Sequence, residues 1–192
     1  MRTFILSALS MIVAVVTSCA QGKGAGEAAK DTKVERRVLV AYFSATGTTE
    51  RVAGTIARVT GATLHEIVPE KRYSAADLDW TDSHSRCSVE NSDAASRPPI
   101  VADTLDMDSY DVIFIGYPIW WNMVPRVVNT FIEKHDLKGR TVIPFATSGG
   151  SGISGSVSNL RGLYSDIKWR DGKLLNRTSE KSIRDWAEKE LR

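Results

Sequence analysis

The sequence predicts an α/β domain in which a parallel sheet carries helices on both faces. Three segments, "RVLVAYFS" (37–44), "YDVIFIGYP" (110–118) and "RTVIPFATS" (140–148), are continuous apolar runs, as expected of strands buried on both faces. Segments with helical spacing lie between and after them, and a crossover that returns to the same end of the sheet makes successive strands parallel. A length of 192 residues is enough for one domain with a substantial core and short for two.

The first strand ends near Ser44. "TTERVAGTIARVTG" (48–61) follows as a helix, with Val52, Ile56 and Val59 at helical spacing and Gly61 as its stop. "ATLHEIVP" (62–69) reads as a second strand closed by Pro69, and the third strand is closed by Pro118. "VVNTFIEKH" (127–135) is helical after Pro125, "RTVIPFATS" is the fourth strand, and "GSVSNLRGLY" (155–164) is a further helix. "DIKWRDGKLL" (166–175) reads as one strand carrying an "RDG" turn or as two short strands, and a last helix runs from Ser179 with Trp186 inward. The stretch from Pro69 to Tyr110 is too long for an ordinary connection, so it is expected to be a helix wrapped in long loops, or a lid. There is no internal repeat.

The first residues have another character. An apolar run from Phe4 to Val16 after Arg2 suits a signal peptide rather than a membrane span. Val16-Thr17-Ser18-Cys19 resembles a bacterial lipobox. That resemblance implies a signal peptide over 1–18, a lipidated Cys19 beginning a flexible tether over 19–36, and a folded domain over 37–192. The expected place is the bacterial cell envelope, with membrane contact through the lipid only. Acylation of Cys19 leaves Cys87 alone, without an intrachain disulfide, and Cys87 reads as a small packed side chain.

Composition narrows the functional classes. Hydrophobic residues make up 42% and charged residues 25%, near globular averages, which excludes wholesale disorder and a multi-span membrane protein. The net charge of +2 is dispersed along the chain, so there is no footprint for nucleic acid. His84 with Cys87 supplies two ligands where a metal wants three or four, and His65, His84 and His135 lack ligand or triad spacing. No metal is expected. "NRT" at Asn176 fits a glycosylation sequon, a pattern without meaning in a bacterial lipoprotein. Arg51 and Arg126 are available to steer an anion, though solvation on a helix face is the simpler reading.

The chemistry is expected beyond the carboxyl ends of the strands, where ligands bind in such sheets. Ser44, Thr46, Thr48 and Thr49 lie where the first strand feeds the first helix, beside Gly47. Helix-start N–H groups lack internal partners and carry the positive end of the macrodipole, and hydroxyls donate without adding a formal charge, so the junction suits a phosphate. The third strand runs into "YPIWWNMVPR" (117–126), whose adjacent Trp120 and Trp121 cannot both enter the core, so one is expected to face a flat ligand. The fourth runs into "ATSGGSGISGS" (146–156), where glycines allow close backbone approach and amides can meet the polar edge of a ring. Together the loops offer a phosphate cradle, an aromatic plate and an amide-rich rim.

"VAYFSATGTTERVAGTI" (40–56) is similar to the FMN phosphate-binding signature of the flavodoxin family, and the resemblance extends over Arg37 to Leu191. It implies a single doubly wound domain with a five-stranded parallel sheet in the order 2-1-3-4-5. It also implies that Ser44, Thr46, Gly47, Thr48 and Thr49 hold the phosphate of FMN, that Pro118, Ile119, Trp120, Trp121 and Asn122 line the isoalloxazine, and that Thr147, Ser148, Gly149, Gly150 and Gly152 meet its pyrimidine edge. Asn122 stands where many members carry a small residue or glycine near flavin N5. The third loop has no aromatic residue, so the outer flavin face is expected to be open, or covered from the long segment by Tyr73 or Trp80. The implied function is redox chemistry carried by the flavin, without a protein acid or base. The expected partner is a redox protein or a small acceptor such as a quinone, with NAD(P)H as a possible donor, and the expected state is monomeric. A domain that kept the fold without the flavin is the remaining alternative.

Overall fold

The structure, a computed structural model, describes residues 36–192. The expected signal peptide, Cys19 and all but the last residue of the expected tether lie outside the described residues. Five parallel strands follow the order β2-β1-β3-β4-β5, with a sixth short strand also on β4. They are β1 (Val38–Tyr42), β2 (Thr63–Glu66), β3 (Val112–Pro118), β4 (Thr141–Thr147), β5 (Lys168–Trp169) and β6 (Lys173–Leu174). The helices are α1 (Thr48–Thr60), α2 (Arg86–Ser92), α3 (Arg126–Lys134), α4 (Ser154–Leu163) and α5 (Glu180–Glu190).

The apolar runs are buried on both faces because their alternate residues feed two different cores. Val38, Val40 and Tyr42 of β1, with Phe114 and Phe145, pack under Val52 and Ile56 of α1 and Ile183 and Trp186 of α5. Leu39 and Ala41, with Ile113, Ile115 and Val142, pack under Val127, Val128 and Phe131 of α3 and Leu160 of α4. Gly116 is required by the first core, since a Cβ there would stand 2.1 Å from Phe145 Cζ.

The last edge is broken into β5 and β6 for a local reason. Val142 O accepts from Arg170 N and Ala146 O from Leu175 N, so alternate residues of β4 address this edge. The residue between them is Pro144, which has no N–H to give, and "RDG" bulges away opposite it. Both sequence readings of this stretch are thus partly realised, as two short strands separated by the turn.

The 69–110 stretch contains α2 and two short 3-10 turns, Ala76–Leu78 and Met107–Ser109, amid loops. It is the wrapped helix of the two alternatives. Arg126 fastens it: the side chain is 4% exposed, its Nε donates to Glu90 O at 3.2 Å and its Nη2 donates to Asn91 O at 3.0 Å. That role replaces the solvated helix face expected for Arg126, because the long connection folds back over the start of α3.

Candidate functional site

The β1–α1 junction is open in the sense that matters for an anion. Gly47 is the N-cap of α1 with φ of 83°, a left-handed conformation that glycine adopts without strain, and no side chain caps the helix. The hydroxyls of Thr46 and Thr48 have no hydrogen-bond partner among the described residues, and Ser44 Oγ is buried without one. Thr49 differs. It is buried, and its Oγ1 shares a 2.8 Å hydrogen bond with Thr147 Oγ1. Its hydroxyl therefore ties the first loop to the third instead of facing a ligand, while its backbone N–H stays at the helix start.

The β3–α3 loop is a tight turn. Trp120 N donates to Met123 O at 3.1 Å and Met123 N to Trp120 O at 2.8 Å, with Trp121 (φ 46°) and Asn122 (φ 63°) between them in left-handed conformations. Two non-glycine residues there are strained, and the turn makes the neighbouring tryptophans diverge. Trp120 is half-buried, edge-on to Phe43 at 5.8 Å and to Tyr73 at 5.4 Å between ring centroids. Trp121 is 41% exposed. Gly155 lets α4 approach, since a Cβ there would meet Asn122 O at 3.3 Å.

The β4–α4 loop is organised by Ser148. Its Oγ accepts from Gly150 N at 3.1 Å and from Ser151 N at 2.8 Å, and its own N–H donates to Asn176 Oδ1 at 2.7 Å. Asn176 Nδ2 donates back to Ser148 O. Of the amides expected to meet a ligand, those of Ser148 and Gly150 are engaged inside the protein. Those of Gly149 and Gly152 are free among the described residues.

These loops border a cleft of about 630 Å³, within the usual range for small-molecule sites. Thr46 and Thr48 line it from the first loop, Pro118, Ile119 and Trp120 from the second, and Thr147, Ser148 and Gly149 from the third. A second cleft of about 550 Å³ shares Ile119, Trp120, Ser148 and Gly149 and adds Trp121 and Gly150. Leu78, Trp80 and Cys87 of the long segment also line it. Ser44, Gly47, Thr49, Asn122 and Gly152 are not among the residues that line either cleft.

Tyr73 supports the wall from within. Its hydroxyl donates to Glu90 Oε2 at 2.5 Å, Arg86 Nε donates to Glu90 Oε1 at 2.6 Å, and the Arg86 guanidinium lies 4.0 Å from the Tyr73 ring centroid. Burial and the bond to Glu90 raise the Tyr73 phenol far above its ordinary range, so it is a permanent donor. Cys87 is a buried free thiol packed by Ser85 Oγ at 3.4 Å, as expected, although it also borders the second cleft. His65 and His135 sit away from both clefts and share Asp103 Oδ2, at 3.7 and 3.2 Å. No group of three residues suited to a metal occurs among the described residues.

Three lining residues escaped or misled sequence reasoning. Asn176 and Arg177, just after β6, line the first cleft, and so does Arg51 of α1. The available signal was position alone: 176–177 follow a strand whose carboxyl end lies at the ligand edge, but that strand is two residues long. With two guanidinium groups at the cleft, an anion there is not neutralised by dipoles and hydroxyls alone.

The donor set fits a phosphorylated planar molecule. Buried Ser44 Oγ lacks a partner, an arrangement that costs about 1–3 kcal/mol unless a ligand satisfies it. The free hydroxyls of Thr46 and Thr48, at an uncapped helix start, line the same cleft as Trp120. A family model described as flavodoxin matches residues 37–190. The crystal structure of a candidate flavoprotein from Bacteroides eggerthii is 53% identical, with a TM-score of 0.77, covering 80% of this chain and 96% of that one. One from Bacteroides uniformis is 51% identical, with a TM-score of 0.78, covering 80% and 98%. A flavoprotein of Lactobacillus acidophilus, crystallised with FMN, is 22% identical with a TM-score of 0.61 over 78% of this chain and 99% of its own, a likeness of fold. No curated protein matches the chain. The domain over residues 37–190, with its parallel sheet in the order 2-1-3-4-5, belongs to the flavodoxin family.

Proposed function

We propose that this domain binds FMN at the three loops and passes electrons through it to a redox protein or a small acceptor. The observation that carries the reading is the set of unpartnered donors at an uncapped helix start, Ser44, Thr46 and Thr48. These hydroxyls and the first N–H groups of α1 would hold the phosphate, each charge-assisted bond contributing about 1.5–3 kcal/mol. Trp120 offers a face for the ring, and Gly149 N–H a donor for its polar edge. When bound, FMN supplies the electron-transfer chemistry that the side chains lack. The FMN in the Lactobacillus acidophilus structure supports the choice of flavin. The test is quenching of flavin fluorescence on titration of the purified protein, with FMN expected to bind far more tightly than riboflavin. Equal affinity for both, or binding of neither, removes the phosphate site or the function.

The second cleft favours a second reading, an NAD(P)H-dependent reductase of a quinone or other small acceptor. A wall of Leu78, Trp80 and Trp121 beside Trp120 suits a small flat molecule better than a protein surface. Steady-state oxidation of NADH or NADPH by the flavin-loaded protein separates the readings. We also propose that Cys19 is lipidated and holds the monomeric domain in a bacterial envelope, from the sequence of residues 16–19. Cys19→Ala then moves the protein from the membrane to the soluble fraction.

A further inference from the structure

We infer that Arg51 and Arg177 form a cationic pair that selects the phosphate end of the ligand; the inference rests on the flavin reading above. Arg51 stands one turn into α1 and Arg177 follows β6, far apart in sequence, yet both line the cleft that Thr46 and Thr48 border. Neither side chain makes an ion pair or hydrogen bond among the described residues, although most other arginines there do. No carboxylate lines the cleft.

Charge explains why hydroxyls are not enough. A phosphate monoester carries about −1.5 to −2 at neutral pH, and a helix start offers only about +0.5. Two guanidinium groups more than offset the charge that remains. A neutral ribityl end gains nothing from them, so they discriminate the phosphorylated flavin from riboflavin.

The backbone of Arg177 points the same way. Its φ of 46° is left-handed, a conformation that glycine or asparagine accepts more readily. The loop is held there from both sides: Asn176 bonds the Ser148 backbone at both N–H and carbonyl, and Thr178 Oγ1 donates to Asn176 O at 3.1 Å. Strain that is held in place beside a cleft is the usual mark of a functional position. An arginine carried there places its charge at the ligand.

The experiment measures FMN and riboflavin affinity of the wild type, Arg51→Gln, Arg177→Gln and Arg177→Lys at several salt concentrations. The wild-type affinity for FMN should fall with salt, while that for riboflavin stays flat. Each Gln variant should weaken FMN by about tenfold and flatten the salt dependence, with riboflavin changed less than about twofold. Arg177→Lys should recover much of the loss. Gln variants that weaken FMN and riboflavin alike assign the arginines a structural role and overturn the inference. Unchanged FMN affinity and salt dependence in both also overturn it. A wild type that binds neither flavin removes the flavin reading itself and the inference with it.

Discussion

Thr49 Oγ1 and Thr147 Oγ1, 98 residues apart, share a buried hydrogen bond of 2.8 Å that joins the first turn of α1 to the end of β4. It locks two ligand loops at a fixed separation while taking both hydroxyls out of contact with solvent. Thr49→Val should destabilise the fold by about 1–2 kcal/mol, because Thr147 keeps a buried hydroxyl without a partner. The double variant Thr49→Val with Thr147→Val should regain much of that loss. Urea unfolding of the three proteins checks it, and additive losses would mean the bond is energetically idle.

Ser44 should respond in the opposite sense. Its hydroxyl is buried and unpartnered in the protein alone, so Ser44→Ala should leave the flavin-free domain as stable or slightly more stable. FMN affinity should fall by about tenfold or more, the equivalent of one charge-assisted bond. Paired thermal melts and FMN titrations measure both effects, and a variant that loses stability but binds normally would show the hydroxyl to be structural.

Asn122 holds φ of 63° in the Trp120–Met123 turn. Asn122→Gly should be neutral within about 0.5 kcal/mol, whereas Asn122→Val should cost about 1–2 kcal/mol or more, since a β-branched residue resists the left-handed region. Equal unfolding midpoints for the two variants would show that the turn relaxes.

His65 gives the fold a pH dependence. Burial lowers its pKa below the ordinary 6.5, with His135 also lowering it and Asp103 and Glu66 opposing. The unfolded chain therefore binds a proton more readily than the folded one, so stability falls as pH drops through 6.5 toward the lower folded value. Asp103 has its carboxyl held below the ordinary 3.8: burial alone would raise it, but Leu105 N–H, His135 and His65 together outweigh that. Its contribution is present above 3.8 and is lost only as pH falls further, whereas that of His65 begins to be lost at 6.5. His65→Gln should flatten the change in urea midpoint between about pH 7.5 and 5.5. An unaltered slope would assign the dependence to another group.

The central strands were legible because burial on both faces leaves a short continuous apolar run, rich in β-branched and aromatic residues and closed by breakers, which favours a strand over a buried helix. β1, β3 and β4 all lie within such runs. The edge strands were harder. β2 is mostly exposed or half-buried, and β5 and β6 are two residues each, so their sequences carry little periodic signal. The long segment resisted reading for another reason: α2 is short, and it is held by Arg126 and by the Tyr73–Glu90–Arg86 cluster rather than by an amphipathic stripe of its own.

The site divides along the same line. The hydroxyls at 44–49, the paired tryptophans and the glycines after β4 could be placed at one sheet edge from chain order alone, since strand-to-helix alternation dictates where those loops emerge. Which hydroxyl is free and which is paired could not. Thr46 and Thr49 look alike in the sequence, but only Thr49 meets Thr147, and only the fold brings Arg177 and Arg51 to the same cleft. Periodicity reports a residue's own strand or helix. Hydrogen-bond partners and local charge arise between segments distant in sequence, and these were settled by how β4, β6 and α1 come together.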